Sequence, residues 1–376
     1  MATRYEPGIR IMKITAVQDY LRVGGTEAQF LDLTARWSSG GHSVERLVFR
    51  RRGELSRKCG EPEPQYLQPF SLPCNWWAPG LSRRLLKTNP DLVICFGRNA
   101  HWSLARQLKG SHLPGLVSTL RTGRHLPEGY KQLLRASEAV VGNSRFAAKL
   151  AENAGVSSER IHVIENGCRF AEGIPPEREE MRKEFLIEKG DRVILCLGSF
   201  VPGKAQSRLL NLWDQIAGVR RESMRLWFVG DGPMRGELER KVRKREDADR
   251  FIFWGNRSDP EKFLAAADAL VSVSREESSP NALVEALCLG VPVAATRCAG
   301  VEEIVPSSAA GFLAEDSSAG ERSLADWLSA SPEVWKERHR IAMENASAEC
   351  RRFDPSARSN DYLELFQNLK PLKLGK

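Results

Sequence analysis

No apolar run in the 376 residues approaches the length of ~20 needed to cross a bilayer. The longest, such as Arg192-Val193-Ile194-Leu195-Cys196-Leu197-Gly198, are strand-sized. The opening residues, Met1-Ala2-Thr3-Arg4-Tyr5-Glu6-Pro7-Gly8, lack the apolar stretch of a secretory signal, so the expected location is cytoplasmic. The eight cysteines (Cys59, Cys74, Cys95, Cys168, Cys196, Cys288, Cys298 and Cys350) never fall in CxxC spacing. That argues against structural zinc and against a disulfide framework. Several lie in apolar runs, where a thiol behaves as a small hydrophobe. The dinucleotide fingerprint GxGxxG is missing, and no acidic residue ends the second strand to hold a nicotinamide ribose. Helix-turn-helix and zinc-finger spacings are missing too, and no basic run interleaves with stacking aromatics. No nucleic-acid partner is expected.

What is present is the composition of a globular protein, with 41% hydrophobic and 28% charged residues. At ~150 residues per domain this length predicts two domains. The charge is lopsided. Residues 1–150 carry 23 Lys+Arg against 11 Asp+Glu, whereas the whole chain is only +8. A basic front half suits an anionic partner, such as a phospholipid surface or a phosphate-bearing acceptor; a solvated basic surface is the plainer reading.

Apolar strand-like runs alternate with segments of helical spacing. Strands are predicted at 11–17, 43–49, 91–96, 115–120, 139–144 and 161–164, with helices at 28–38 and after Ser144. Residues 171–190, rich in proline and charge, break the pattern. It restarts with strands at 192–197, 225–229, 251–254, 269–273 and 292–295, and helices at 207–217 and 236–245. Such alternation means βαβ units and parallel sheets. Two doubly wound α/β domains are expected, facing each other across a cleft where the strand carboxyl ends meet.

Four segments could carry chemistry. Gly24-Gly25-Thr26-Glu27 follows the first strand and opens a helix, an arrangement that lets backbone approach a phosphate, though a tight turn explains it as well. In Gly198-Ser199-Phe200-Val201-Pro202-Gly203-Lys204, Lys204 stands in a loop after a strand and could neutralise a diphosphate. Val229-Gly230-Asp231-Gly232-Pro233 alone reads as a turn. In Glu277-Ser278-Ser279-Pro280-Asn281-Ala282-Leu283-Val284-Glu285, two glutamates lie eight residues apart. Ser279-Pro280 reads as a helix start, which puts Glu277 in the preceding loop and Glu285 inside the helix among apolar neighbours. A buried carboxylate there needs hydrogen-bond donors, and sugar hydroxyls supply them.

Taken in order, these segments resemble family 4 of the retaining, nucleotide-sugar-dependent glycosyltransferases of group 1 type, which have the GT-B fold. Further matching pieces are Asn143-Ser144-Arg145-Phe146, Ile161-His162-Val163-Ile164-Glu165-Asn166-Gly167, Phe253-Trp254-Gly255, Ala265-Ala266-Ala267-Asp268 and Gly290-Val291-Pro292-Val293-Ala294-Ala295-Thr296. The resemblance implies an N-terminal acceptor domain over 1–180, completed by a C-terminal helix over 355–376, and a donor domain over 181–354.

It also implies roles. Gly25 approaches the donor diphosphate, Lys204 pairs with it, and Glu277 faces the transferred sugar. Ser279, Asn281, Ala282 and Leu283 line sugar and phosphate with backbone amides, and Pro280, which has no N–H, lies among them. Glu285 binds the ribose, and the base lies near Gly230 and Asn256. No metal or other cofactor is expected. The one Asp-x-Asp, Asp247-Ala248-Asp249, reads as a solvated face.

Two departures stand out. Many relatives have arginine where this chain has Ser199. Many have histidine where it has Arg121, which makes Arg121 a candidate contact to an anion. The donor expected is a UDP-sugar, and the acceptor a cell-surface glycan, lipopolysaccharide or lipid-linked precursor. The basic front half is expected to meet the inner membrane face. Arg83, Arg84 and Lys87 beside Trp76, Trp77, Leu81, Leu85 and Leu86 form the candidate patch, or else a core-facing helix. Alternatives are a nucleotide-sugar epimerase, a soluble-acceptor synthase and a catalytically silent sugar-nucleotide-binding homologue, with a nicotinamide oxidoreductase more distant.

Overall fold

The structure, a computed structural model, describes residues 10–22, 24–51, 53–57, 59–70, 77–108, 113–123, 125–172, 176–216, 218–308 and 310–372. Expectations that touch the opening segment, Val23, Arg52, Cys74, Trp76, Arg124 or 173–175 lie outside them. The chain divides into two compact units, Met1–Gly167 with Pro355–Lys376, and Cys168–Asp354.

The first unit is built on strands β1 (Lys13–Gln18), β2 (Ser43–Val48), β3 (Pro64–Tyr66), β4 (Leu92–Cys95), β5 (Leu113–Leu120), β6 (Ser137–Gly142) and β7 (Ile161–Val163). They form one parallel sheet in the order β3-β2-β1-β4-β5-β6-β7. The helices are α1 (Gly25–Ser39), α2 (Leu81–Thr88), α3 (Arg98–Gln107), α4 (Glu128–Ala136) and α5 (Arg145–Asn153). Central strands such as β4 are buried on both faces, which is why they read as continuous apolar runs. As its sequence signal predicts, α5 is capped: Ser144 Oγ accepts from the Ala147 amide at 3.1 Å.

In the second unit, β8 (Arg192–Leu197), β9 (Met224–Val229), β10 (Phe251–Gly255), β11 (Ala269–Ser272), β12 (Val293–Thr296) and β13 (Gly311–Ala314) form a parallel sheet. Their order is β10-β9-β8-β11-β12-β13. Around them lie α6 (Arg178–Glu184), α7 (Arg208–Gln215), α8 (Gly218–Arg221), α9 (Arg235–Val242), α10 (Pro260–Ala266), α11 (Asn281–Cys288), α12 (Ser318–Leu328) and α13 (Pro332–Arg352). One core packs on each face of this sheet, around Trp213 and Phe228 on one side and Trp227 and Phe263 on the other. The last helix, α14 (Pro355–Gln367), returns to the first unit, where Tyr362 and Phe366 pack edge-on against Trp37 of α1 at 5.7 and 5.2 Å. Two doubly wound parallel-sheet units and a returning terminal helix match the predicted fold class.

The division falls 13 residues earlier than the expected 180/181 boundary, which would cut through α6. Buried Asp268 explains the difference. Its carboxylate accepts from Arg178 at 2.7 Å, from Arg182 at 3.0 Å and from the Val193 amide at 2.8 Å, which ties α6 into the second unit. The proline- and charge-rich composition of 171–190 therefore marks the segment after the crossing.

Candidate active site

The carboxyl ends of β8, β9 and β10 are knitted into one surface by their loops. The Gly198 amide donates to Val229 O at 2.9 Å, Phe200 to Asp231 O at 2.9 Å, and Gly230 to Gly255 O at 2.8 Å. Glycine is required at 230. Its φ is +135°, and a Cβ there would lie 2.1 Å from Gly198 O. So the glycines of the second and third motifs are packed against each other, a pairing that neither motif discloses alone.

Beyond Gly198 the chain makes a short turn, Pro202–Lys204, that carries Lys204 toward the loop after β11. The two loops are joined by Arg275 N donating to Gly203 O at 2.9 Å. The Lys204 ammonium pairs with Glu277 Oε1, which also accepts from Ser274 Oγ at 2.8 Å. Glu277 is largely buried and Lys204 partly so. Both reach a narrow cavity of about 20 Å³, with Gln206, Ser272, Ser274, Pro280, Ala282 and Leu283 also on its wall. The loop behind is pinned by Gly300, where a Cβ would meet Ser278 O at 2.2 Å.

Pro280 is the residue before α11, and the helix begins at Asn281, one position later than predicted. Pro280 O accepts from Leu283 and Val284 at 3.0 and 3.3 Å. The amides of the first turn, around Asn281 and Ala282, therefore face outward from the helix end beside Glu277. One turn on, burial pushes the Glu285 carboxyl up to about 7, against the opposing charge of Arg169 and with Glu261 adding to the rise. The Arg169 guanidinium is 3.5 Å away. Nothing in the sequence pattern pointed to Arg169 or to Ser274, because both meet the glutamates only through the fold.

Ser199 is exposed, and its carbonyl accepts from Gln206 Nε2 at 2.9 Å. Asn256 is exposed just past β10, and Gly230 lies just past β9 nearby. The solvated reading of the Asp-x-Asp holds for Asp249, which is 75% exposed, and is corrected for Asp247. Asp247 accepts from Trp213 Nε1 at 2.8 Å and from Arg245 Nε at 2.8 Å, so this carboxylate is a structural anchor. Among the described residues, no group of three or more His, Cys, Asp or Glu could hold a metal ion.

Two expected residues lie in the first unit. Gly25 is the first residue of α1 and offers its amide at the start of a 15-residue helix. The Glu27 carboxylate shares that end, paired with Arg22 at 2.7 Å. Arg121 donates to Tyr362 OH of α14 at 2.9 Å and also to Asn166 Oδ1. It lies over the Phe96 ring, 5.4 Å from the centroid. Its guanidinium is thus bound into the fold by Asn166 of a motif segment and by Tyr362 of the terminal helix. This unit also has an open hollow of about 250 Å³ lined by Arg98, Asn99, Trp102, Pro127 and Tyr130, at the start of α3 and α4. No motif in the sequence points to it.

Residues 177–347 match the family model "Glycosyl transferases group 1", and residues 23–171 match "Glycosyltransferase Family 4". The chain is 31% identical over 205 residues to the 2-deoxystreptamine glucosyltransferase of Streptomyces kanamyceticus, covering 52% of this chain and 53% of that one. It is 25% identical over 290 residues to the lipopolysaccharide core biosynthesis glycosyltransferase LpsD of Rhizobium meliloti, covering 76% and 78%. The chain spans between 35% and 53% of the length of the first curated relatives it matches. In fold it is similar to Anabaena Alr3699/HepE, solved in complex with UDP and glucose. The TM-score is 0.79 at 22% identity, over 95% of this chain and 100% of that one. With both halves matched in order, and the lysine loop and paired glutamates lying inside the group 1 segment, the chain belongs to the group 1, family 4 glycosyltransferases.

Proposed function

We propose that the chain transfers a sugar from a nucleotide-sugar donor to a hydroxyl of a cell-surface glycan, lipopolysaccharide or lipid-linked acceptor, with retention of anomeric configuration. The observation that carries this reading is the Lys204–Glu277 pair beside the first turn of α11. As the glycosidic bond breaks, positive charge grows on the sugar ring and negative charge on the departing diphosphate. Lys204 and the α11 amides stabilise the departing anion, and Glu277 faces the sugar. Glu285 receives hydroxyls of the ribose, which replace the water its carboxylate lost on burial. The base lies near Gly230 and Asn256. Ser279, Pro280 and Leu283 shape the wall around sugar and phosphate.

A UDP-sugar is the favoured donor. Alr3699/HepE was solved with UDP and glucose, and LpsD is named for lipopolysaccharide core biosynthesis. We assign the acceptor to the hollow at α3, where Trp102 offers an aromatic surface to a sugar face, and Arg98 and Asn99 offer donors to hydroxyls or phosphate. No metal takes part in this scheme. The basic front half draws the protein to an anionic membrane surface.

The test is thermal stability with saturating UDP, GDP, ADP, CMP, dTDP and NAD, one at a time. A ligand at about 100 times its Kd adds about 2.7 kcal/mol to the native state. A rise with UDP alone fixes the base, whereas a rise with NAD alone overturns the reading. NMR of the product anomer then tests retention. A catalytically silent homologue is the second reading, favoured by the commitment of Arg121 to Tyr362 and Asn166. Slow release of sugar from the donor without acceptor would rule it out.

A further inference from the structure

Three of the cysteines, far apart in sequence, converge in the second unit. Cys288 is the last residue of α11. Its thiol lies beside those of Cys168 and Cys350, near enough that they perturb its ionisation. Cys350 Sγ also donates to Cys288 O at 3.3 Å. Cys350 is in the final turn of α13, a helix that packs along α11. Cys168 and Cys288 are buried, and Cys350 is half-buried and so within reach of solvent.

The cluster also has a defined place in the chain. Cys168 is the first residue of the second unit and Asp354 the last. The Cys168 amide donates to Phe353 O at 2.7 Å, so the entering and leaving strands of chain are tied together beside the thiols. Packing needs one small hydrophobe at such a point. Three thiols gathered at one point are a chemical arrangement, and glycosyl transfer makes no use of it.

We propose that Cys168, Cys288 and Cys350 form a peroxide-responsive modification site whose product is a disulfide at Cys288. Hydrogen peroxide meets the half-buried Cys350 thiol first. The sulfur is oxidised to the sulfenic acid, the O–O bond breaks, and one water leaves. The Cys288 sulfur then attacks Cys350. An S–S bond forms, the S–O bond breaks, and the hydroxyl leaves with the Cys288 proton as a second water. Two thiols have given up two electrons, and one peroxide has become two waters. Cys168, beside Cys288, can attack it in turn and release Cys350 by thiol–disulfide exchange. The bridge fastens the end of α11, whose other end bears the Pro280 turn, to a segment where the chain enters or leaves the unit.

The experiment uses the reduced full chain and one equivalent of hydrogen peroxide, followed by maleimide blocking and peptide mass mapping. A peptide linking Cys288 to Cys350 or Cys168, reversed by dithiothreitol, is expected. The Cys350→Ser variant, altered at a half-buried position, is expected to lose its free Cys288 thiol at least tenfold more slowly. Oxidation confined to Cys59 and Cys298 would overturn the proposal. So would an irreversible mass gain at Cys350 without linkage, or an unchanged rate in Cys350→Ser. None of these readings depends on donor, acceptor or transfer.

Discussion

Glu277 and Glu285 are the same residue type eight positions apart, yet their surroundings separate them. Glu277 shares its oxygen with Lys204 and Ser274, while Glu285 lies buried with only a half-exposed arginine 3.5 Å away. We expect Glu277→Gln to lower kcat at least 100-fold while the midpoint shift with UDP is retained. Glu285→Gln should instead weaken UDP binding about tenfold, a loss of about 1.4 kcal/mol. Equal effects of both variants on binding and rate would refute this division. Because the Glu285 carboxyl is raised to about 7 in the folded chain, the native state binds the extra proton. Its contribution to stability is full below the ordinary glutamate range near pH 4.5 and is lost as pH rises through about 7. Glu285→Gln should therefore flatten the loss of stability between those limits, which denaturant midpoints at a series of pH values will report. The motif was legible in sequence because its spacing is local. Arg169 and Ser274, which set the electrostatics, were not, because they arrive through tertiary contact.

Element boundaries show the same split. Core strands such as β8 were read correctly because apolar residues buried on both faces leave an unbroken run. Edge strands β3 and β13 were missed, since Pro64-Gln65-Tyr66 and Gly311-Phe312-Leu313-Ala314 lack the β-branched apolar residues that mark the equally short edge strand β7, with Ile161 and Val163. Helix α6 was split by the expected boundary because its composition is that of a linker, and what places it is chiefly the Asp268 carboxylate in the turn between α10 and β11. Burial alone would raise Asp268, but the His339 ring nitrogen 3.6 Å away, the charges of Arg178 and Arg182 and the Val193 amide outweigh it and hold the carboxyl down at about 2. Asp268→Asn should cost about 3 kcal/mol, as expected when one partner of a buried pair is removed. The difference from wild type should be full above the ordinary aspartate value near 3.8 and should vanish as pH falls through about 2. A constant difference across that range would count against the pairing.

Helix α2 shows how one pattern divides between core and surface. Leu81 and Leu85 are buried, and Arg84 is held by Glu45 at 2.7 Å, so these three serve the fold. Arg83, Leu86 and Lys87 are exposed, and Trp77 is 37% exposed. The candidate membrane patch shrinks to these. Arg83→Glu with Lys87→Glu should release the protein from liposomes containing phosphatidylserine, with melting unchanged because neither residue is buried. Unchanged co-sedimentation would remove the patch.

At the scale of the whole molecule, the first unit is discontinuous and the second is one stretch of chain. That asymmetry was legible only through the family resemblance, since nothing local in 355–376 says which core the last helix completes. The physical ties are specific. Tyr362 and Phe366 are buried against Trp37, Arg121 binds Tyr362 OH, and Leu372 N donates to Asp91 O at 2.7 Å. Each fully buried aromatic of this kind contributes about 1.5–3 kcal/mol, so losing α14 should remove much of a typical domain's 5–15 kcal/mol. It also strips the guanidinium of Arg121 of a partner. A chain ending at Asp354 should therefore melt in two stages. The first unit should unfold at least 10 °C earlier than in the full protein, while the second keeps its midpoint and, if the donor site lies where we assign it, its rise with UDP. Trp37, at the contact with α14, gives the fluorescence signal for the first stage. If both units lose their midpoints together, folding of the second unit depends on the first. If neither does, α14 contributes nothing to the first unit beyond its own contacts.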